Sequence, residues 1–226
     1  MFESKYSKVL TIFLIIVIIA IIVLLGFLGY DYYQKYFITK DTSEFVDSFE
    51  GDQTIAEENN DSTTETNTAE NENVLEQVES TTRTTKTGTT KVKKQYKGFG
   101  VDGTIQIPKT KVKYPVLEKV TKKSIETAVA ILYGVGLNQP GNTVIVGHNY
   151  RNGLFFSNNK KLQNGDKIYI TDNTGTKLTY TIYNKFETTP EDTSFYTRDT
   201  AGKPEITLST CTDDSSARII IFAKAD

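Results

Sequence analysis

Cysteine and histidine are almost absent from this sequence of 226 residues, which contains one of each, Cys211 and His148. A single cysteine excludes a disulfide within the chain, and one cysteine with one histidine supplies too few ligands for a typical zinc site. No compact acidic cluster suggests calcium, so neither a metal nor another cofactor is predicted. The formal net charge of −2 gives no reason to expect nucleic acid as a partner.

Charged residues are missing from Val9 to Leu28, a run of twenty residues dominated by Ile, Leu and Val. In a helix this length spans about 30 Å, the thickness of the hydrocarbon core of a bilayer. The run is longer than the apolar part of a cleaved signal peptide, the alternative, and no small-residue cleavage site follows it. We therefore predict a membrane anchor over residues 9–29. Lysines precede it and acidic residues follow it, so residues 1–8 are predicted to be cytoplasmic and the remainder extracellular.

Lysine and arginine are missing from residues 41–80, which contain 13 Asp or Glu, many Thr, Asn and Ser, and few apolar side chains. Such a composition buries too little apolar surface to offset the entropy lost on ordering. We therefore expect residues 30–97 to form a disordered extracellular tether. A solvated spacer is its simplest role, and contact with a wall polymer is the alternative. The folded domain is expected over residues 98–226.

Short apolar alternations separated by turn residues dominate the sequence after Gly98. Apolar residues at helical spacing predict a helix over residues 124–134, with Thr121 or Ser124 as its cap. Many short strands with few helices favour a mostly-β barrel or sandwich. The predicted strands cover residues 101–108, 113–120, 142–149, 166–172, 177–186, 205–211 and 217–225.

Cys211 ends one predicted strand and His148 ends another. A nucleophilic thiol needs a proton acceptor or a nearby cation, because the thiolate is the reactive form. The structural alternatives are a small buried cysteine and a histidine that serves only packing. Because an unpaired thiol is a liability in an exported domain, we interpret the two residues as a candidate catalytic pair.

Arginine supplies a possible third member of the site. Arg218 follows Cys211 by seven positions, and the connection TDDSSA between their strands is six residues long. If the strands are antiparallel neighbours, Arg218 lies opposite Cys211, with Cβ atoms about 4.5–5.5 Å apart. A permanent cation there would favour the thiolate and stabilise an oxyanion. Arg151, three residues after His148, is the alternative candidate. In the structural interpretation, Arg218 is a strand-edge arginine without a catalytic role.

These residues carry a resemblance to a known family. The segment TLSTC, Thr207 to Cys211, is followed by Arg218 at a strand start and preceded by VIVGHN with His148. In this order the motifs resemble those of the sortases, cysteine transpeptidases of Gram-positive cell surfaces. The resemblance covers about residues 98–226 and implies the eight-stranded sortase β-barrel, with one or two short helices.

The resemblance also implies a chemistry. Cys211 would attack the carbonyl after Thr in an LPxTG-like sorting signal, and His148 would donate a proton to the departing amine. Arg218 would hold the substrate and the oxyanion, with Thr210 contributing to substrate binding. An amine of a peptidoglycan precursor or a pilin lysine would then resolve the thioacyl-enzyme. The partners would be surface proteins with a C-terminal sorting signal.

Some features depart from parts of that family. The chain has no Asp-Pro pair, so the lid of pilus-building sortases is not expected, and a pilin polymerase is disfavoured. Residues 183–205, before the cysteine strand, form the expected substrate-selecting loop. Two alternatives stay open at this stage: another cysteine peptidase or L,D-transpeptidase, and a non-enzymatic β-rich adhesin or sensor ectodomain. The sorting motif and the amine acceptor are not predicted.

Overall fold

A computed structural model describes residues 3–58 and 94–226, with side chains from residue 8 to 52 and from 94 onward. It contains a long N-terminal helix, a short second helix and nine strands. Two short 3₁₀ turns, Pro108–Thr110 and Asn159–Lys161, complete the regular structure. In chain order the elements are α1 (Glu3–Glu58), β1 (Gln95–Tyr96), β2 (Phe99–Ile107), β3 (Val112–Leu117), α2 (Lys122–Thr127), β4 (Val129–Gly134), β5 (Gly141–Val146), β6 (Lys167–Asp172), β7 (Lys177–Thr188), β8 (Pro204–Cys211) and β9 (Arg218–Ala225).

Eight of the strands close into a barrel, as the family resemblance implies; the strand pattern alone left a sandwich open. Their order is β2-β3-β4-β5-β8-β9-β7-β6, and pairing between β6 and β2 closes the sheet. The pairs β3–β4 and β5–β8 are parallel, and the other neighbours are antiparallel. The two-residue strand β1 extends the edge next to β2. Closure leaves the barrel without a long free edge that could pair with another chain.

The barrel interior is filled by branched aliphatic side chains. These residues are fully buried and come from alternate positions of the strands, which is the pattern of a sheet that faces a core. Burial of this apolar surface is the main stabilising contribution to the barrel. The cluster includes Ile105, Ile107, Val116, Ile145, Ile168, Ile170, Ile206, Leu208 and Ile221.

Of the helix predicted over residues 124–134, only residues 124–127 are helical. Thr121 caps α2: its hydroxyl accepts from the Ser124 N–H at 3.0 Å, and the Ser124 hydroxyl accepts from the Thr121 N–H at 2.7 Å. The chain then leaves the helix and forms β4 from Val129 to Gly134. There it pairs with β3 on one side and β5 on the other. Tertiary pairing of β-branched and aromatic residues therefore overrides the local helical spacing.

Residues 30–58 also differ from the expected disordered tether, because they continue α1. Apolar residues at helical spacing, Ile38, Phe45, Val46 and Phe49, lie on the side of α1 that faces the barrel. Val46 and Phe49 are almost completely buried. Lys94 and β1 likewise precede the expected domain boundary at residue 98. Residues 59–93 of the predicted tether lie outside the described residues.

The predicted anchor lies within α1. By length and composition this helix can cross a membrane, and its most apolar window has no contact that buries it within the protein. The first barrel contacts of α1, at Ile38 and Asp41, follow the apolar run by about ten residues. At 1.5 Å per residue this is a distance of roughly 15 Å along the helix.

Candidate active site

Two parallel strands bring His148 and Cys211 to the same end of the barrel. Strand β5 pairs with β8 up to Val146 and Ser209, so the residues that follow in the two segments lie at the same end of the barrel. Gly147 continues the contact, because its N–H donates to the Ser209 carbonyl at 3.3 Å. A Cβ atom at Gly147 would lie 2.8 Å from the Phe156 ring, so glycine permits the close packing just before the histidine.

The register of β8 and β9 places Arg218 directly opposite Cys211, as the six-residue connection predicts. Directly opposed residues of antiparallel strands project from the same face of the sheet. The loop between them is closed by its own hydrogen bonds: the Thr212 N–H donates to the Ala217 carbonyl at 3.0 Å. The Asp214 carboxylate accepts from the Thr212 hydroxyl at 2.6 Å. The sulfur and the guanidinium therefore share one side of the barrel end.

His148, Cys211 and Arg218 line one cleft of about 310 Å³. Each of the three side chains is partly exposed, so the thiol is not sealed in the core. Thr210 also lines the cleft. The remaining walls are largely apolar and come from α2, β4, β5 and the loop before β8; they include Ile125, Leu132, Val146, Pro190 and Phe195. This arrangement can accommodate an extended apolar chain whose reacting bond lies at the polar end.

The imidazole of His148 and the guanidinium of Arg218 differ in their electrostatic surroundings. Burial lowers the pKa of His148 below its ordinary value of 6.5, and the charge of Glu126 partly opposes this effect. Neutral imidazole therefore predominates near neutral pH. The Tyr150 ring packs 4.8 Å from the imidazole, centroid to centroid. Among the described residues, no carboxylate lies within ion-pair distance of Arg218, whose guanidinium donates to the Ala217 carbonyl at 3.3 Å. Arg218 thus lines the cleft opposite Cys211 without an ion pair in the described chain, and Asp192, the carboxylate of the cleft lining, instead accepts from the Thr188 hydroxyl and the Ser194 N–H.

The two remaining predicted residues have different positions. The Thr210 hydroxyl donates to the Gly147 carbonyl at 2.7 Å and is nearly buried, so it joins the cysteine strand to the residue before His148. Its assignment to substrate binding stays a prediction. Arg151, the alternative to Arg218, is exposed, does not line the cleft, and its guanidinium lies 3.4 Å from the Ser215 hydroxyl.

The loop between β7 and β8 forms part of the cleft wall through four residues, Pro190, Asp192, Phe195 and Tyr196. Arg198 fastens the end of this loop to the barrel. Its guanidinium contacts the Glu205 carboxylate, donates to the Asn142 side chain at 2.8 Å, and packs 3.9 Å above the Phe222 ring. Arg198 therefore attaches the loop to the first residues of β5 and β8, while residues 190–196 reach the cleft at the other end of these strands. The role of the loop in selecting a substrate stays a prediction.

Sequence reasoning missed several residues of the site. Ile125 of α2 and Leu132 of β4 line the cleft, but the predicted single helix over this region concealed their separate elements. Asn149 was also missed, although it directly follows His148. Its side chain contacts the Cys211 carbonyl, a contact between residues 62 positions apart that no local sequence pattern indicates.

An eight-stranded closed barrel with a thiol, an imidazole and a guanidinium around one terminal cleft defines the class as a β-barrel protein with a cysteine-based candidate active site. The model of the family described as "Sortase domain" matches residues 105–226, more than half of the chain. The chain belongs to the sortase family.

Individual relatives agree with this assignment. Sortase A of Bacillus anthracis is 34% identical over 124 residues, which cover 54% of this chain and 58% of that protein. Sortase A from Corynebacterium diphtheriae superimposes with a TM-score of 0.52 at 30% identity, covering 57% of this chain and 61% of the solved one. A Clostridium perfringens Sortase D5 transpeptidase gives 0.51 at 31% identity, covering 56% and 79%. The likeness thus spans less than two thirds of the first two relatives.

Proposed function

We propose that this protein is a membrane-anchored cysteine transpeptidase that cleaves an LPxTG-like sorting signal and transfers the cleaved protein to an amine of the cell wall. The observation that carries the proposal is the convergence of Cys211, His148 and Arg218 on one cleft with largely apolar walls. Family membership and the candidate membrane helix support it. The N-terminus would be cytoplasmic and the barrel extracellular.

In the first step the His148 imidazole takes the proton of the Cys211 thiol, and the resulting thiolate attacks the carbonyl carbon that follows Thr in the signal. The guanidinium of Arg218 stabilises the negative charge that develops on the carbonyl oxygen. The C–N bond then breaks, His148 gives its proton to the departing amine, and a thioester remains on Cys211. The unneutralised charge of Arg218 supports its role, because a guanidinium already paired with a carboxylate would be less available to an oxyanion.

In the second step an amine attacks the thioester carbonyl. His148 accepts a proton from this amine, the C–S bond breaks, and the Cys211 thiolate beside the protonated imidazole is restored. The amine of a peptidoglycan precursor is the proposed acceptor, and a pilin lysine is the alternative. The partial exposure of Cys211 and its place in the cleft lining disfavour an inert structural cysteine, the state expected for a non-enzymatic adhesin.

Intact mass spectrometry tests this proposal. The full chain in detergent micelles is incubated with a library of LPxTG-type peptides, with and without an amine acceptor. We expect a peptide adduct cut after Thr, its release on addition of amine, and no adduct on the Cys211→Ala variant. A methanethiosulfonate reagent should label Cys211 readily in the folded protein.

Three results would contradict the assignment. Product formed by Cys211→Ala would remove the thiol from the mechanism. An adduct of a diaminopimelate-containing tetrapeptide in place of a sorting peptide would indicate an L,D-transpeptidase. Resistance of the folded protein to thiol labelling would favour the non-enzymatic ectodomain.

A further inference from the structure

His148 lies in the loop after β5 and Cys211 is the last residue of β8, so a direct connection between them must form beyond the pairing of β5 with β8. Pairing between β5 and β8 ends at Val146 and Ser209, and the last contacts between their extensions involve Gly147. Past this point no ladder of backbone hydrogen bonds joins the histidine loop to the cysteine strand; β9 holds Cys211, and the Phe156 N–H holds the His148 carbonyl at 3.1 Å. The distance between imidazole and thiol is therefore not determined by the barrel alone.

The side chain of Asn149 supplies this connection. Its Nδ2 donates to the Cys211 carbonyl oxygen and to the Asp213 Oδ1 atom, both at 2.9 Å. Its Oδ1 accepts from the Arg151 N–H at 3.0 Å. A backbone N–H can only donate, so the amide oxygen must face Arg151 and the NH₂ group must face the other loop. The orientation of the amide is thereby fixed by its three partners.

Two of these bonds have no role in local loop geometry. The bond to the Arg151 N–H closes a turn within the histidine loop, as an asparagine in many turns does. The bonds to Cys211 and Asp213 instead join positions 62 and 64 residues apart. They fasten the residue next to His148 to the backbone of the nucleophile and to the loop that precedes Arg218.

We propose that Asn149 is a positioning residue that holds His148 at its working distance from Cys211. This inference rests on the proposed function for its kinetic consequence, but the geometry concerns the thiol and the imidazole alone. Asn149 touches neither reacting atom: it acts through the backbone on both sides. A misplacement of about 1 Å between reacting groups can lower a rate on the order of 100-fold.

Variants at Asn149 have a matched control in Lys160. Asn149→Ala removes both bonds between the loops, and Asn149→Asp keeps the shape but places carboxylate oxygens against the Cys211 carbonyl and Asp213. Lys160→Ala removes only an outer ion pair to the second oxygen of Asp213, which is exposed. We expect both Asn149 variants to lower kcat about 10- to 100-fold with little change in KM. Lys160→Ala should remain close to the unaltered chain.

A second measurement does not depend on peptide transfer. The rate at which iodoacetamide alkylates Cys211 is measured against pH for the full chain, Asn149→Ala, His148→Ala and the double variant. If Asn149 acts by holding the imidazole, its substitution shifts the pH profile of alkylation when His148 is present. The same substitution has no further effect on the His148→Ala background, because the group that it positions is gone.

The outcomes separate this inference from the proposed function. Non-additive alkylation rates support the positioning role even if no sorting peptide is transferred, which would count against the proposed function alone. Additive effects of the two substitutions would overturn the positioning role. So would an unchanged kcat in both folded Asn149 variants, or an equal loss of kcat in Lys160→Ala.

Discussion

Two faces of the barrel differ in whether their charged side chains form ion pairs. The helix face is the surface where residues 38–52 of α1 contact the barrel, and the cleft face is the end with Cys211 and Arg218. On the helix face four acidic residues of α1 meet four lysines of the barrel region within 3.1 Å: Asp41 with Lys97, Asp47 with Lys113, Glu50 with Lys177 and Asp52 with Lys94.

The cleft face contains the opposite arrangement. Within the described part of the chain, the guanidinium of Arg218 has no carboxylate within ion-pair distance, although its side chain is partly buried. A partly buried cation is costly without a partner, so such a group persists where a ligand or a reaction supplies the negative charge. The comparison indicates that charges are neutralised where two parts of the chain meet. At the cleft, where a ligand is proposed to bind, the charge of Arg218 has no such partner among the described residues.

The ion pairs of the helix face also bear on the distance between the apolar run and the barrel. Asp41 and Glu50 contact the barrel before the chain reaches residues 59–93. Those residues therefore do not determine the distance between the apolar run and the barrel. That distance follows from the helix itself and its ion pairs with the barrel.

The largest expected effect follows from replacing Arg218, the guanidinium of the cleft. Arg218→Lys keeps the positive charge but loses the planar fork of donors that can contact an oxyanion and hold the substrate. We expect kcat/KM for a sorting peptide to fall about 100-fold, the cost of one donor to an oxyanion. The melting temperature should change little, because the guanidinium has no ion pair to lose among the described residues.

Arg151→Lys is the matched control for that variant. Arg151 is an exposed arginine outside the cleft, and its substitution should leave turnover close to that of the unaltered chain. Normal turnover in Arg218→Lys together with a large loss in Arg151→Lys would move the role to Arg151 and break the comparison.

A smaller effect is expected on the helix face. Glu50 accepts from Thr104 at 3.0 Å, from Gln106 at 2.7 Å and from Thr171 at 3.1 Å, and it pairs with Lys177. Glu50→Ala leaves the buried hydroxyls of Thr104 and Thr171 without this acceptor. We expect docking of α1 to weaken by about 2 kcal/mol, the range for a hydrogen-bonded charged group. Hydrogen exchange of residues 38–50 in the full chain should therefore accelerate roughly 30-fold.

Glu44→Ala provides the control on the same helix. Glu44 is exposed and, within the described residues, forms an ion pair with Lys40 alone, one turn earlier; such a pair contributes a few tenths of a kcal/mol. Its exchange rates should change little, and peptide turnover should be normal in both variants. Equal exchange in Glu44→Ala and Glu50→Ala would show that the buried carboxylate does not hold the helix.

The sequence predicts the cleft face better than the helix face, for physical reasons. The opposition of Cys211 and Arg218 follows from one short connection, since six residues between adjacent strands leave little freedom of register. Docking of α1 depends on apolar residues such as Val46 and Phe49, which stand among many acidic residues. Phe49 shares a cluster with Val101 and Leu117, which lie more than fifty residues away in the chain. Composition therefore indicated disorder, and the helix at 129–134 was wrong because strand pairing is equally non-local.

The smallest expected effect is a difference between the two faces in the pH range over which each loses stability. Burial lowers the pKa of His148, so the unfolded chain binds a proton more tightly, and stability falls as the pH drops below about 6.5. Burial alone would raise the pKa of Glu50, but hydrogen bonds from Lys177, Gln106 and Thr104 outweigh it and lower the pKa below 4.5. The contribution of Glu50 is therefore present above about pH 4.5 and is lost as the pH falls through the lowered value.

Urea unfolding and hydrogen exchange can distinguish these two windows. Between about pH 7.5 and 5.5 the full chain should lose a little stability, because only the histidine among these groups changes its charge. His148→Asn should lose less over the same interval. Exchange of residues 38–50, corrected for its intrinsic pH dependence, should stay constant there and accelerate only below about pH 4.5, where Glu50 takes up its proton. Faster exchange of residues 38–50 already at about pH 5.5 would contradict this separation. It would mean that protonation of His148 in the cleft weakens the docking of α1 on the helix face.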